Sequence, residues 1–157
     1  RLMDKKIIFL DLDGTLTNDE KKITPKTKEA LMDIQKRGHI VALASGRPTP
    51  GMGFIAKELE LEKYGGYVMS FNGGKIIDWK TKETVFENTL DRKYLPDLIR
   101  YARQNNLGLI TYDNKQGLVA TRVDPYVMLE TVKINRIPAF LTDVVKYVDY
   151  NPNAFTL

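Results

Sequence analysis

The segment KKIIFLDLDGTLT, from Lys5 to Thr17, carries the strongest structural signal in this 157-residue chain. Its four consecutive apolar residues, 7–10, are bounded by charged residues and predict a fully buried strand, most simply in a parallel sheet. Asp11 and Asp13 follow directly. Residues i and i+2 of an extended chain point to the same side, so we expect the two carboxylates to converge at the strand end.

Two converging carboxylates at a strand end suggest phosphoryl chemistry on a metal ion. Ligands bind at the carboxyl ends of the strands in open α/β sheets, and Mg²⁺ takes one or two carboxylates together with water and phosphate oxygens. One carboxylate can attack phosphorus, and a second acid can protonate the leaving oxygen and then activate water. Gly14 allows a sharp turn whose N–H groups form an anion nest. The alternative, a solvated acidic turn, fits a bare Asp-x-Asp better than this longer motif.

Two further segments support a phosphate site. Ser45 and Gly46 follow a second apolar strand, and a hydroxyl and N–H at that position can hold a phosphoryl oxygen. The alternative is a plain Ser-Gly turn. Arg47 could bind a substrate phosphate or hydroxyl, or could equally be a surface arginine. Asn72, in the segment SFNGG, follows a third apolar strand and also fits an Asn-Gly turn.

Together these motifs resemble those of the haloacid dehalogenase-like (HAD) phosphatases. The segments at Ser45-Gly46-Arg47 and at Asn72 are similar to those of the Cof-type, or IIB, branch. The resemblance implies a Rossmann-like parallel sheet core with an inserted α/β cap. Residues 1–87 would be the N-terminal part of the core and residues 88–157 part of the cap.

The resemblance also implies residue roles. Asp11 would be the nucleophile and Asp13 the general acid/base, with both on Mg²⁺ and Asp13 using its backbone carbonyl. Leu12, Ser45 and Gly46 would contact the phosphate. The resemblance places Arg47 and Asn72 near the substrate, which would be a small phosphorylated metabolite, most typically a sugar phosphate.

The order of elements agrees with two α/β units. Strands at 40–44 and 67–71 alternate with helices that begin at Pro25 and Pro48, which predicts a mainly parallel unit, and a hairpin follows at 75–87. After residue 87 the pattern becomes a helix near 94–102, strands at 107–112 and 118–122 around a hairpin connection, and a helix that begins at Pro125. We expect this second unit to have an antiparallel sheet.

The family pattern includes a third-motif lysine and a Gly-Asp fourth motif after the cap. The last glycine in this sequence is Gly117, so no Gly-Asp pair follows it. We therefore expect both motifs to lie beyond Leu157 and the 157 residues alone to be inactive.

Composition excludes several other function classes. Cysteine is absent and only one histidine occurs, which argues against disulfides, thiol chemistry and an ordinary zinc site and suits the cytoplasm. No segment reaches the roughly 18 apolar residues of a membrane span. The net charge of +4 is spread over short runs, so we expect no nucleic-acid partner. The oligomeric state cannot be inferred from the sequence.

Three alternatives to a phosphatase stay open. The chain could be a catalytically incomplete fragment with a binding or structural role, or a phosphosugar mutase of the same fold. A glycosyltransferase could also use an Asp-x-Asp motif to hold a metal and a nucleotide sugar, although the following Gly14-Thr15 and Ser45-Gly46-Arg47 argue against it.

Overall fold

The computed structural model describes residues 4–113 and 117–157. The chain divides into two compact units, Arg1–Glu87 and Asn88–Leu157. Both units combine helices with a β-sheet, which confirms the predicted α/β class.

A five-stranded sheet forms the first unit. Its strands lie in sequence order and are β1 (Ile7–Asp11), β2 (Ile40–Ala44), β3 (Gly66–Ser70), β4 (Lys75–Asp78) and β5 (Thr84–Glu87). The pairings β1–β2 and β2–β3 are parallel, whereas β3–β4 and β4–β5 are antiparallel. The prediction of a mainly parallel unit thus holds for the first three strands, and the predicted hairpin supplies the last two.

The register of the three parallel strands aligns their carboxyl ends. Asp11 of β1 lies opposite Ala44 of β2, and Ala44 lies opposite Met69 of β3. The loops that leave these strands therefore begin side by side at one edge of the sheet, which is the usual place for ligands in parallel α/β proteins.

Only the first helix on this sheet begins where the sequence predicts, and the second is shorter and divided. Helix α1 (Pro25–Lys36) has Thr24 as its N-cap, with the Thr24 hydroxyl accepting from the Thr27 N–H. The helix predicted from Pro48 is divided into a 3-10 turn, α2 (Gly53–Glu58) and α3 (Leu61–Tyr64). The left-handed conformation of Glu60 separates α2 from α3.

Burial of β1 differs from the prediction. The core of the first unit combines buried side chains from α1, β2, β3, α2 and α3 with loop residues such as Leu12 and Leu16. Ile7 and Phe9 of β1, by contrast, are 48% and 61% exposed. The prediction of a fully buried strand is wrong in the described structure because β1 is an edge strand there and only Leu10 packs on the core.

A four-stranded sheet forms the second unit. Its order is β8-β7-β6-β9, with strands β6 (Ile110–Asp113), β7 (Gly117–Ala120), β8 (Ala139–Leu141) and β9 (Phe155–Thr156). β6 pairs antiparallel with β7, as predicted, and also with β9, but β7 and β8 are parallel. The purely antiparallel prediction is wrong because a helical crossover between β7 and β8 returns the chain in the same direction.

Helices of the second unit pack on both faces of this sheet. They are α4 (Leu95–Gln104), α5 (Pro125–Met128), a π-helical segment (Leu129–Asn135) and α6 (Val144–Tyr147). One core joins α4 and α6 to the sheet, and a second core joins Val127 of α5 to Ile110 and Leu118. Part of the predicted hairpin connection, residues 114–116, lies outside the described residues. Across the described part of the chain, every helix is too short or too polar to cross a membrane.

Candidate active site

The turn after β1 is closed by hydrogen bonds to the last residue of the strand and to the residue that follows it. The Leu16 N–H donates to the Asp11 carbonyl at 3.0 Å, and the Thr17 N–H and hydroxyl both donate to the Leu12 carbonyl at 2.9 Å. Gly14 has a φ of +80°, which favours glycine. The sharp turn that the sequence predicts after Asp13 is therefore present.

The loops after β2 and β3 are tied together by two backbone hydrogen bonds. The Asn72 N–H donates to the Ser45 carbonyl at 3.1 Å, and the Phe71 N–H donates to the Arg47 carbonyl at 2.9 Å. The Asn72 side chain lies so close to Gly46 that a Cβ at residue 46 would be 3.0 Å from its Oδ1. The glycine thus allows these two loops to approach each other.

Asp13 is held by two cations. Arg47 donates from Nε to Oδ2 at 3.0 Å and from Nη2 to Oδ1 at 2.6 Å, and the Lys21 ammonium donates to Oδ1 at 2.9 Å. The hydrogen bonds from Arg47, and then the one from Lys21, lower the pKa of Asp13 from 3.8 to about 2, although partial burial opposes them. Asp13 is therefore ionised at neutral pH in this arrangement.

The structure brings the other predicted residues to the same strand ends. Asp11 is exposed as the last residue of β1. The side chain of Leu12 is fully buried, so only its backbone is suited to a phosphate contact. Ser45 is buried, and its hydroxyl accepts from the Arg47 N–H at 3.1 Å. Asn72 adopts a left-handed conformation directly after β3.

Arg47 and Lys21 differ from what the sequence indicates. The sequence predicts Arg47 at a substrate or at the surface, but its side chain is 3% exposed and its guanidinium contacts Asp13. Lys21 belongs to one of the short basic runs of the sequence, which give no indication of a site. The Lys21 N–H donates to the Asn18 carbonyl at 2.9 Å, and in this turn Lys21 adopts a left-handed conformation with its ammonium on Asp13. A short polar loop of this kind gives little sequence signal.

The oxygen ligands at this edge suit Mg²⁺. The Asp11 carboxylate and the Asp13 backbone carbonyl are hard oxygen donors, and Mg²⁺ usually completes its octahedron with waters and substrate phosphate. Within residues 4–113 and 117–157, no group of three or more His, Cys, Asp or Glu side chains is placed to hold a metal. The donor set is thus appropriate to a site that shares its metal with substrate and water.

Comparison with known proteins identifies the family. Residues 8–150 match the haloacid dehalogenase-like hydrolase family, a range that contains both aspartates, Ser45 and Asn72. This chain belongs to the haloacid dehalogenase-like hydrolases. The predicted membership of the HAD superfamily is confirmed, and Mg²⁺ is the metal that the superfamily generally uses.

Individual HAD relatives match over most of this chain. A haloacid dehalogenase-like hydrolase from Bacteroides thetaiotaomicron is 41% identical, with a TM-score of 0.87 over 94% of this chain and 56% of its own. YxeH of Bacillus subtilis, named as a candidate phosphatase, is 30% identical over 94% of this chain and 59% of its own length. The sugar phosphatase BT4131, of HAD subclass IIB, is 14% identical and shares the fold with a TM-score of 0.74, over 94% of this chain and 56% of its own. The chain thus spans somewhat more than half the length of these three proteins.

Proposed function

We propose that this HAD protein is a Mg²⁺-dependent phosphomonoester hydrolase that acts on small phosphorylated metabolites through an aspartyl-phosphate. The observation that carries the proposal is the meeting of the Asp11-Leu12-Asp13 turn with Ser45 and Asn72 at the ends of three parallel strands. Family membership supports the same chemistry.

Asp11 is the proposed nucleophile. It ends β1 with an exposed side chain, so a substrate phosphorus can approach its carboxylate from solvent. Attack forms an O–P bond to Asp11 and breaks the bond between phosphorus and the alcohol oxygen. The second step transfers the phosphoryl group to water and restores the Asp11 carboxylate. Mg²⁺, when bound by the Asp11 carboxylate and the Asp13 carbonyl, supplies charge neutralisation for the phosphoryl oxygens.

Asp13 is the proposed general acid and base. As an anion held by Arg47 and Lys21, it is ready to accept a proton from the attacking water in the second step. Its role as an acid in the first step needs a proton on its carboxyl group. A substrate phosphate dianion beside Asp13 favours that protonation because a nearby like charge raises the pKa of a carboxyl group.

The remaining strand-end residues are proposed to orient the phosphate. The Ser45 hydroxyl and the backbone N–H groups of Leu12 and Gly46 are donors of the kind that bind phosphoryl oxygens. Asn72 is tied to Ser45 through the backbone, so it can contact the substrate from a fixed position. These donors stabilise charge that develops in the transition state.

The second unit, residues 88–157, is proposed as part of a cap that limits substrates to small metabolites. A cap excludes water and bulky polymers from a phosphoryl-transfer site. Sugar phosphates are the proposed substrate class, with support from the shared fold of the sugar phosphatase BT4131.

The test is hydrolysis of a panel of sugar phosphates, nucleotides and p-nitrophenyl phosphate by the full-length protein with and without Mg²⁺. We expect phosphate release that requires Mg²⁺ and is fastest with a sugar phosphate. Isomerised sugar phosphate without released phosphate would indicate a phosphosugar mutase. Absence of both products over the whole panel would contradict the proposal and favour a binding role.

A further inference from the structure

Arg47 has an environment that is unusual for a residue expected to contact substrate. Its side chain is 3% exposed, whereas its partner Asp13 is 36% exposed. Besides its two hydrogen bonds to Asp13, the guanidinium donates from Nη1 to the Gly51 carbonyl at 3.2 Å. Its carbon atom lies 5.8 Å from the centre of the Phe54 ring. Protein atoms thus surround the cation on several sides.

The contacts on Arg47 fix the plane of the Asp13 carboxylate. An arginine fork that bonds both carboxylate oxygens leaves the acid little freedom to rotate. The fork itself is anchored in the Thr49–Gly51 turn, through the Gly51 carbonyl, and the Arg47 backbone is tied to Phe71. The orientation of Asp13 is therefore set by the loops after β2 and β3, which do not contain it.

We infer that Arg47 is a positioning residue that acts on the reaction through Asp13 and does not itself contact the substrate. This inference rests on the proposed phosphatase function, in which Asp13 transfers protons. By holding the carboxylate plane, Arg47 presents one fixed acid geometry to the leaving oxygen and to the attacking water. An error of about 1 Å in such a group can cost about a hundredfold in rate.

Lys21 has a different relation to Asp13. Its side chain is 26% exposed and it contributes a single hydrogen bond to Oδ1. An ammonium group is a flexible point charge, whereas a guanidinium is a rigid planar fork. Lys21 therefore adds charge at Asp13 without setting the carboxylate plane, and Arg47 alone carries the positioning role.

The kinetic test compares Arg47→Gln and Arg47→Lys with Arg37→Gln in the full-length protein. Arg37 is the matched control because it also pairs with an aspartate at 2.6 Å, but on the exposed surface of α1. We expect Arg47→Gln to lower kcat on an alkyl phosphate by about 10- to 100-fold with KM nearly unchanged. The loss should be smaller on p-nitrophenyl phosphate, whose leaving group needs less protonation.

Arg47→Lys keeps the charge but loses the fork, so we expect it to restore only part of kcat. This variant also serves if Arg47→Gln does not fold. A large rise in KM with unchanged kcat in either variant would show that Arg47 binds substrate directly and would overturn the inference.

A spectroscopic test separates this inference from the proposed function. The fork can hold the carboxylate plane only if the carboxylate itself stays in one place, which χ1 of Asp13 decides, and three-bond NMR couplings report that χ1 rotamer without any turnover. We expect one rotamer in the wild type and in Arg37→Gln, and averaging over rotamers in Arg47→Gln. A single unchanged rotamer in Arg47→Gln would overturn the positioning role even if the protein is an active phosphatase. Failure of the wild type to hydrolyse any phosphomonoester would instead contradict the proposed function.

Discussion

An aspartate occupies a strand end in both units, but the two aspartates have different partners. Asp13, beyond β1, is held by Arg47 and Lys21, whereas Asp113, at the end of β6, accepts a hydrogen bond from the Tyr147 hydroxyl. The Asp13–Arg47 and Asp113–Tyr147 pairs are both separated by 34 residues, so distance along the chain does not distinguish them. The difference lies in which side chains the neighbouring segments contribute: an arginine and a lysine from loops at Asp13, and a tyrosine from α6 at Asp113.

The two environments shift proton affinity at different groups. In the first unit the cations lower the pKa of the aspartate itself to about 2. In the second unit the hydrogen bond to Asp113 raises the pKa of Tyr147 to about 12. A strand-end aspartate is therefore not by itself evidence of a reactive site. Parallel strands that bring cations and phosphate donors to the same edge make the difference.

Replacing the proposed nucleophile, Asp11, should have the largest effect on kcat of all the substitutions considered. In the full-length protein, we expect Asp11→Asn to lower kcat on p-nitrophenyl phosphate by about 10⁴-fold or more, because an amide is a poor nucleophile. Asp113→Asn should change kcat by less than about threefold, since its carboxylate has a structural hydrogen bond. Comparable losses of kcat in both variants would show that the strand end of β1 is no more important for the reaction than that of β6.

Stability measurements test the two hydrogen-bonded pairs next. We expect Arg47→Gln to lower the free energy of unfolding by about 2–3 kcal/mol, less than for a fully buried ion pair because Asp13 is partly exposed. Tyr147→Phe should lower the free energy of unfolding by less than Arg47→Gln does, because it removes a single hydrogen bond. Urea denaturation measures both, and Arg37→Gln serves as a surface control with a loss of about 0.5 kcal/mol or less. A larger loss in Tyr147→Phe than in Arg47→Gln would reverse the comparison.

Ser45 and Ser70 lie at neighbouring strand ends, and replacing each one tests whether its hydroxyl contributes to phosphate binding or to packing. We expect Ser45→Ala to lower kcat/KM by roughly tenfold or more, because a hydrogen bond to a charged phosphate is worth about 1.5–3 kcal/mol. Ser70 is fully buried and its hydroxyl lies 2.6 Å from the Thr49 hydroxyl, so Ser70→Ala should affect stability more than kinetics. Unchanged kinetics in Ser45→Ala would leave Ser45 as a turn residue only.

The smallest expected effect is on the pH dependence of the free energy of unfolding in acid. The folded pKa of Asp13, about 2, lies below its usual value of 3.8. The stabilisation from its ionised form is therefore present above about pH 4 and is lost as the pH falls towards 2. We expect the free energy of unfolding to decline less steeply over that interval in Arg47→Gln than in the wild type. An identical decline would mean that Arg47 does not set the proton affinity of Asp13.

Local sequence patterns predict the backbone of the first unit well. Thr24-Pro25 marks the start of α1, and the apolar run at Ile40–Ala44 is β2 as expected. The exposure of Phe9 could not be predicted, because a short apolar run does not tell whether a strand lies at the centre or the edge of a sheet.

Long-range contacts explain what sequence patterns missed at the candidate site. The turn at Gly14 follows from its own residue type, but the Arg47–Asp13 pair depends on how two loops meet. In the second unit, the parallel pairing of β7 and β8 depends on the path of the helical crossover, which local patterns do not specify.

The most direct test of the central proposal is to locate the phosphoryl group on the enzyme. The full-length protein is mixed with p-nitrophenyl phosphate and Mg²⁺, quenched in acid during turnover, digested, and analysed by mass spectrometry. We predict one phosphorylated peptide, which contains Asp11, and its loss in Asp11→Asn. Steady phosphate release by the wild type with no phosphorylated Asp11, or with the group on another residue, would contradict the account.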